Sequence, residues 1–311
     1  MGAQPFIQIK KKKAELKKPI IAVTGPTASG KTALAVSIAR QTDGEIISAD
    51  SRQVYRRMDI GTGKDLEEYG EIPYHLIDIC EPGTKYNLYQ YIKDFHIALA
   101  DIEARGKQPI VCGGTGLYLE TTLSGVVLPD VPVNQTLRDS LQGKSLTELT
   151  EMLKSYKTLH NTTDVDSAQR AVRAIEIEEY YRENPEEADK ARKATAAPLP
   201  HKLLLIDISR DLRRNRISAR LESRLANGMV EEVRGLLNEG ISPEDLIYYG
   251  LEYKYVTLYL TGQMEFDEMR KRLEIEIHQF AKRQMTWFRG MERRGYTFLK
   301  VPFEKLDNFT I

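Results

Sequence analysis

A parallel α/β sheet with helices on both faces follows from three observations in this sequence. Short apolar runs of strand type alternate with stretches of helical period over roughly the first 125 residues. A glycine-rich loop, GPTASGKT at residues 25–32, stands between the first such run and the first helix. The other turn-rich strings, ADSRQ and GGTG, also directly follow strands, where ligands gather in parallel sheets. The loop makes the expected fold P-loop NTPase-like. The rhythm breaks after Val127 and returns near residue 202, so the sheet is expected to carry an α-helical insertion domain. The expected boundaries are a flexible basic tail at 1–18, the core at 19–128 and 200–311, and the insertion at 129–199.

The elements come in order. PIIAVT at 19–24 reads as the first strand, and Leu34, Ala35, Ile38 and Ala39 give the next stretch helical spacing. EIISA at 45–49 reads as a strand, and HLIDI at 75–79 as another. Leu88, Tyr91, Ile92, Phe95, Leu99 and Ile102 share one helix face. QPIVC at 108–112 is a strand with GGTG as its turn. In the insertion, Leu146, Leu149, Met152 and Leu153 form one amphipathic face, and Ala168, Ala171, Val172 and Ile175 another. Residues 183–200 are poor in apolar side chains and read as a loop or frayed helix. KLLLIDI at 202–208 returns to the sheet. A single long helix is expected over 211–239, with Ile217, Leu221, Leu225, Met229 and Val233 at every fourth position. Two more helical stretches, the longer over 266–289, precede a last strand at 296–301.

Composition excludes several classes. No apolar run approaches the ~18–20 residues of a membrane span. Two cysteines, Cys80 and Cys112, make neither a disulfide framework nor a zinc set, and a reducing cytoplasm suits them. Lys+Arg and Asp+Glu are equal at 45 each, without the basic excess of a bulk nucleic-acid binder. The charge is nonetheless uneven: Arg210, Arg213, Arg214, Arg216, Arg220 and Arg224 crowd one segment. Arg216, Arg220 and Arg224 share one helix face, either as solvated partners of Glu222, Glu231 and Glu232 or as a functional cluster.

The loop carries the first chemistry. Gly25 and Gly30 frame Pro26, Thr27, Ala28 and Ser29, so that successive backbone N–H groups can face an anion. Lys31 adds a point charge, and the Thr32 hydroxyl is placed to ligate Mg²⁺ at the start of the helix. Asp50 follows the second strand directly. A carboxylate there serves as a turn former or metal-site partner, or as a base for an incoming nucleophile.

GPTASGKT, SADSRQVYRRMDIGT, HLID, GGTGLYL, QRAVRAIEI and KRQMTWFRG occur in this order. In that order and spacing the chain resembles the bacterial tRNA dimethylallyltransferases over about residues 20–290. The resemblance implies prenyl transfer from dimethylallyl diphosphate to the exocyclic N6 amine of the tRNA adenosine adjacent to the anticodon, releasing pyrophosphate. It implies Mg²⁺ on Thr32, pyrophosphate on residues 25–32 and Arg220, and Asp50 as the catalytic carboxylate. Asp50, Ser51, Arg52, Gln53, Thr115, Gln169, Arg170, Ala171, Val172 and Arg173 are the implied tRNA contacts. Tyr248–Val256, YYGLEYKYV, departs from the family's compact IGYKE form, and no Cys/His pairs follow Gly290. A cytoplasmic monomer is expected. An adenylate isopentenyltransferase and a P-loop small-molecule kinase share the loop; the insertion with QRAVRAIEI favours tRNA over a free nucleotide, and residues 113–130 show no arginine-rich lid of the kind a kinase needs.

Overall fold

The computed structural model describes residues 16–126, 128–159, 163–193 and 197–311. Six strands form one sheet: β1 (Ile20–Thr24), β2 (Gly44–Ser48), β3 (Tyr74–His75), β4 (Gln108–Cys112), β5 (His201–Asp207) and β6 (Phe298–Pro302). Their order is β3-β2-β4-β1-β5-β6 and every pairing is parallel. All five residues of β1, β2 and β4 are buried, which is why these strands read as continuous apolar runs. β1 lies between β4 and β5, so the loop leaving its carboxyl end opens at the middle of the sheet edge.

The helices are α1 (Lys31–Thr42), α2 (Leu88–Ala104), α3 (Gly116–Ser124), α4 (Gln135–Leu141), α5 (Leu146–Tyr156), α6 (Ala168–Glu183), α7 (Pro185–Lys193), α8 (Arg210–Ala226), α9 (Met229–Asn238), α10 (Pro243–Tyr248), α11 (Leu251–Leu260) and α12 (Phe266–Arg293). Reciprocal capping boxes open α2 through Asn87 and Gln90, and α5 through Ser145 and Glu148. The chain divides into two compact units. One holds the residues up to Ser124 together with Leu199–Ile311, and contains the whole sheet. Its core packs Leu34, Ile38, Ile46, Ile110, Leu204 and Val301. The other, Gly125–Pro198, is helical and has its own core of Leu141, Leu149, Leu153, Ala171, Ala174 and Ile175.

Four expectations change. The HLIDI strand is only two residues long, because Leu76 and Asp78 take left-handed backbone conformations. The chain turns there so that Asp78, Ile79 and Cys80 can donate to the carbonyls of Gln53 and Val54. The single helix over 211–239 is two: Gly228, at φ 98°, separates α8 from α9. Three helices rather than two follow Gly240, since Gly250 at φ 132° ends the α10 segment before α11. Residues 185–193 form a regular helix, with Pro185 first and Glu186 and Glu187 in its positive first turn. The expected basic tail lies outside the described residues up to residue 15. Its end is held, since Lys17 N–H donates to Glu103 Oε1 at 3.2 Å and Lys18 Nζ to Gly106 O at 2.9 Å.

Candidate active site

The loop between β1 and α1 is concave because Ala28 and Gly30 both have positive φ, 59° and 83°. Alternation of this kind turns successive N–H groups inward. Gly25 has no room for a side chain: a Cβ there would lie 2.9 Å from Ser29 Oγ and 3.3 Å from Ile206 Cβ. The buried Ser29 Oγ has no hydrogen-bond partner among the described residues. Lys31 Nζ donates to Pro26 O at 2.8 Å, folding back over its own loop. Burial pushes its ammonium down to about 8; the nearby Arg220 charge acts in the same direction, and Asp50 opposes it. Arg216 Nε supports the loop from outside by donating to Ala28 O at 2.8 Å. Thr27 N–H donates to Gln284 Oε1 at 2.8 Å.

Asp50 stands just past β2. Its Oδ1 accepts Arg52 N–H at 2.8 Å, which closes a tight turn and fixes the carboxylate. The β4 turn packs against this one. Thr115 N–H donates to Ala49 O at 3.3 Å, and Ser51 N–H to Thr115 Oγ1 at 3.2 Å. A Cβ at Gly113 would lie 2.2 Å from Ala49 O, so only glycine permits this approach. Gln53 is held at both ends of its amide, by Ser48 Oγ at 3.1 Å and Gly63 O at 3.2 Å.

Arg220 reaches the same place from α8. Its Nη2 donates to Gly63 O at 3.3 Å and pairs with Asp65. Arg224, one turn on, donates to Gly61 O at 3.4 Å and pairs with Glu252 at 3.3 Å. Burial raises the Glu252 carboxyl above its ordinary range, with the Asp50 charge adding to the effect and Arg224 opposing it. The DIGTGK loop is pinned from three sides. Glu232 accepts the N–H groups of Asp59, Ile60 and Gly61 at 2.7, 2.8 and 3.0 Å, and Tyr253 OH at 2.6 Å. The buried Lys64 ammonium donates to Tyr55 O and Asp59, both at 2.6 Å, and to Asp78. The solvated pairing of the arginine face is therefore not what forms. Glu222 pairs with Arg270 and Glu231 with Arg234, while Glu232 belongs to the loop.

A cleft of about 590 Å³ opens on Lys31, Thr32, Asp50, Thr115 and Arg220 together. Its rim carries partly exposed apolar rings, Tyr248, Phe280 and Trp287. A second cavity of about 390 Å³ shares Lys31, Thr32 and Arg220 and adds Asp65 and Glu68. The donors around Thr32 are hard oxygens, which fit Mg²⁺: that ion takes one or two protein oxygens and completes its octahedron with water and substrate phosphates. An anion-binding loop thus shares a cleft with an oriented carboxylate.

A model of IPP transferase matches residues 53–291. The chain belongs to the IPP transferase family. A second model, isopentenyl transferase, matches residues 18–71. The chain is 62% identical over 281 residues to tRNA dimethylallyltransferase 2 of Porphyromonas gingivalis, covering 89% of this chain and 91% of that protein. Its fold is similar to the full-length tRNA isopentenylpyrophosphate transferase of Bacillus halodurans, at 28% identity and TM-score 0.68, covering 94% of both chains. It is also similar to tRNA delta(2)-isopentenylpyrophosphate transferase of Staphylococcus epidermidis, at 30% identity and TM-score 0.65, covering 94% of this chain and 97% of that one. Membership of this IPP transferase family makes the chain a prenyltransferase.

Gln169, Arg170, Ala171, Val172 and Arg173 lie on α6, in the helical unit. Ala171 is fully buried, and Val172, partly exposed, packs against that unit's core. Arg173, with its side chain 36% exposed, pairs with the buried Glu176 and donates to Val131 O at 2.8 Å. Arg170 is exposed and, among the described residues, pairs with Asp166 one turn away, and Gln169 is exposed. Sequence reasoning gave no role in the site to Gln284, Glu232, Glu252 or Tyr253. Gln284 had a signal: it is a polar residue on the apolar stripe of α12, buried to 7% exposure.

Proposed function

We propose that this IPP transferase moves the dimethylallyl group of dimethylallyl diphosphate to the exocyclic N6 amine of the tRNA adenosine adjacent to the anticodon, releasing pyrophosphate. The observation that carries this reading is the opening of the phosphate loop, Arg220 and Asp50 on one cleft. The phosphate groups sit in the loop of residues 25–32, on the backbone N–H groups it leaves free, with Lys31 and Arg220 facing the charge that develops as the C–O bond breaks. Bound on Thr32, Mg²⁺ would supply Lewis-acid stabilisation of the same charge. Asp50 accepts a hydrogen bond from the attacking amine, orients it, and takes its proton as the C–N bond forms. The loop grips a leaving group here and transfers no phosphoryl group.

An adenine in an anticodon loop must leave its stack to enter such a cleft. Thr115, Ser51, Arg52 and Gln53 line it and are the expected contacts to the target nucleotide. In the α6 segment, Gln169, Arg170 and Arg173 are the polar side chains with exposed surface for RNA. No helix among the described residues is long and apolar enough to cross a membrane, and we expect a cytoplasmic monomer. The test is to incubate the protein with labelled dimethylallyl diphosphate and unmodified tRNA, then map the labelled nucleotide. Label on AMP but not tRNA would replace this reading with free-nucleotide prenylation. Transfer of label from γ-labelled ATP would replace it with a kinase.

A further inference from the structure

Helix α12 meets the GGTG turn at two of its glycines. Gln284 Nε2 donates to Gly114 O at 2.9 Å, while Gln284 Oε1 accepts Thr27 N–H at 2.8 Å. Trp287, three residues on and on the same helix face, covers Gly116. A Cβ on Gly114 would lie 2.4 Å from Gln284 Nε2, and one on Gly116 2.3 Å from Trp287 Cδ1. Glycine at both positions is therefore what lets the helix come this close. It also accounts for the presence of GGTG and QMTW in one chain.

We propose that Gln284 is a positioning residue for prenyl transfer, its side-chain amide setting the separation between the phosphate loop and the Asp50 turn. The inference rests on the reading under Proposed function. The connection is continuous: Thr27 to Gln284 to Gly114, then through Thr115 to the backbone of Ser51 and Ala49. One end of it holds the donor's phosphates and the other holds the acceptor's carboxylate. A primary amide is the group that serves both ends, because it accepts at oxygen and donates at nitrogen. A carboxylate would face the Gly114 carbonyl without a proton to give. An apolar side chain would leave a part-buried N–H and a buried carbonyl unpaired. Donor carbon and acceptor nitrogen must meet at roughly 3–3.5 Å, and a displacement of about 1 Å costs about 10²-fold in rate.

The experiment compares wild type with Gln284→Ala and the near-isosteric Gln284→Glu, each at full length. Single-turnover transfer from dimethylallyl diphosphate to tRNA should fall by about 10²-fold in Gln284→Ala. The dissociation constants for inorganic pyrophosphate and for tRNA should change by less than about threefold, because neither half-site is itself removed. Gln284→Glu keeps the Thr27 bond and loses the Gly114 bond, so its rate should fall between the two. Hydrogen exchange supplies a readout that needs no turnover: Gln284→Ala should lose protection at Thr27 and at 113–116 together, with β1 and β4 unchanged. An unchanged rate, a pyrophosphate constant that weakens as much as the rate falls, or unchanged exchange at either segment would overturn the proposal. Absence of transfer by the wild type would overturn the assigned reaction instead, and the exchange result would then decide the role of Gln284.

Discussion

Gln53 and Arg220 donate to the same carbonyl oxygen, that of Gly63, at 3.2 and 3.3 Å. Gln53 belongs to the turn that begins at Asp50, and Arg220 to the arginine face of α8. One backbone oxygen thus ties an expected acceptor contact to an expected donor clamp. A Cβ on Gly63 would lie 1.6 Å from Arg224 Nη2 and 2.7 Å from Arg220 Nη2, at a φ of 61°. Gly63→Ala should therefore cost about 1–3 kcal/mol in backbone strain alone. It should also weaken both donor and tRNA use. Thermal unfolding and the KM for each substrate check this; an effect on stability with both KM values intact would show that the carbonyl is not a shared support.

Asp50→Ala should lose about 10²–10⁴ in turnover, the usual worth of a general base. The fold should persist, since Asp50 is partly exposed and its one backbone partner is Arg52 N–H. Near-normal turnover in a folded Asp50→Ala protein would take Asp50 out of the chemistry.

Lys31 gives a pH signature. Its ammonium titrates near 8, and it is the protonated form that holds a diphosphate. Donor KM should be flat below that pH and rise above it, approaching about tenfold per pH unit as the charge is lost. Lys31→Ala should have a raised KM throughout and lack this dependence. A wild-type donor KM that stays level to pH 9 would show that the free ammonium titrates above that pH or that its charge does not hold the donor.

Asp65 pairs with Arg220 across the second cavity and competes with any anion for its guanidinium. Asp65→Asn should lower donor KM several-fold, the scale of a partly exposed ion pair. A higher KM, corrected by more Mg²⁺, would count Asp65 among the groups that hold the metal.

The two arginines of α6 should separate. Arg173→Ala removes one partner of the buried Glu176 and the Val131 contact, and should destabilise the helical unit by about 1–3 kcal/mol. Among the described residues Arg170 has an exposed local pair alone, so Arg170→Ala should be nearly silent in stability. If it meets a phosphate, tRNA affinity should fall and its salt dependence lose about one counterion. An unchanged salt slope would remove Arg170 from the phosphate contacts.

By itself the sequence determined whatever local order encodes. Phosphate loop, strand and helix are contiguous, so residues 20–42 specify their own geometry and most of their own chemistry. Buried parallel strands read as apolar runs, and the break in that rhythm marked the helical stretch. Asp50 was legible because a strand directly precedes it. Tertiary structure decided what depends on partners far apart in the chain. Periodicity placed Arg216, Arg220 and Arg224 on one face but could not name their partners, which are the Ala28 carbonyl, Asp65 and the Gly61–Gly63 loop. Glu232 looked like a surface charge until three loop amides converged on it, and Arg173 gave no sign in the sequence of its bond to the Val131 carbonyl. Gly228 and Gly250 stop helices that the apolar pattern alone would have continued, because left-handed backbone leaves no trace in hydrophobic spacing. Gln284 joins two loops lying 170 and 257 residues away in the chain. A hydrogen bond depends on angle and distance, and only the folded chain fixes those.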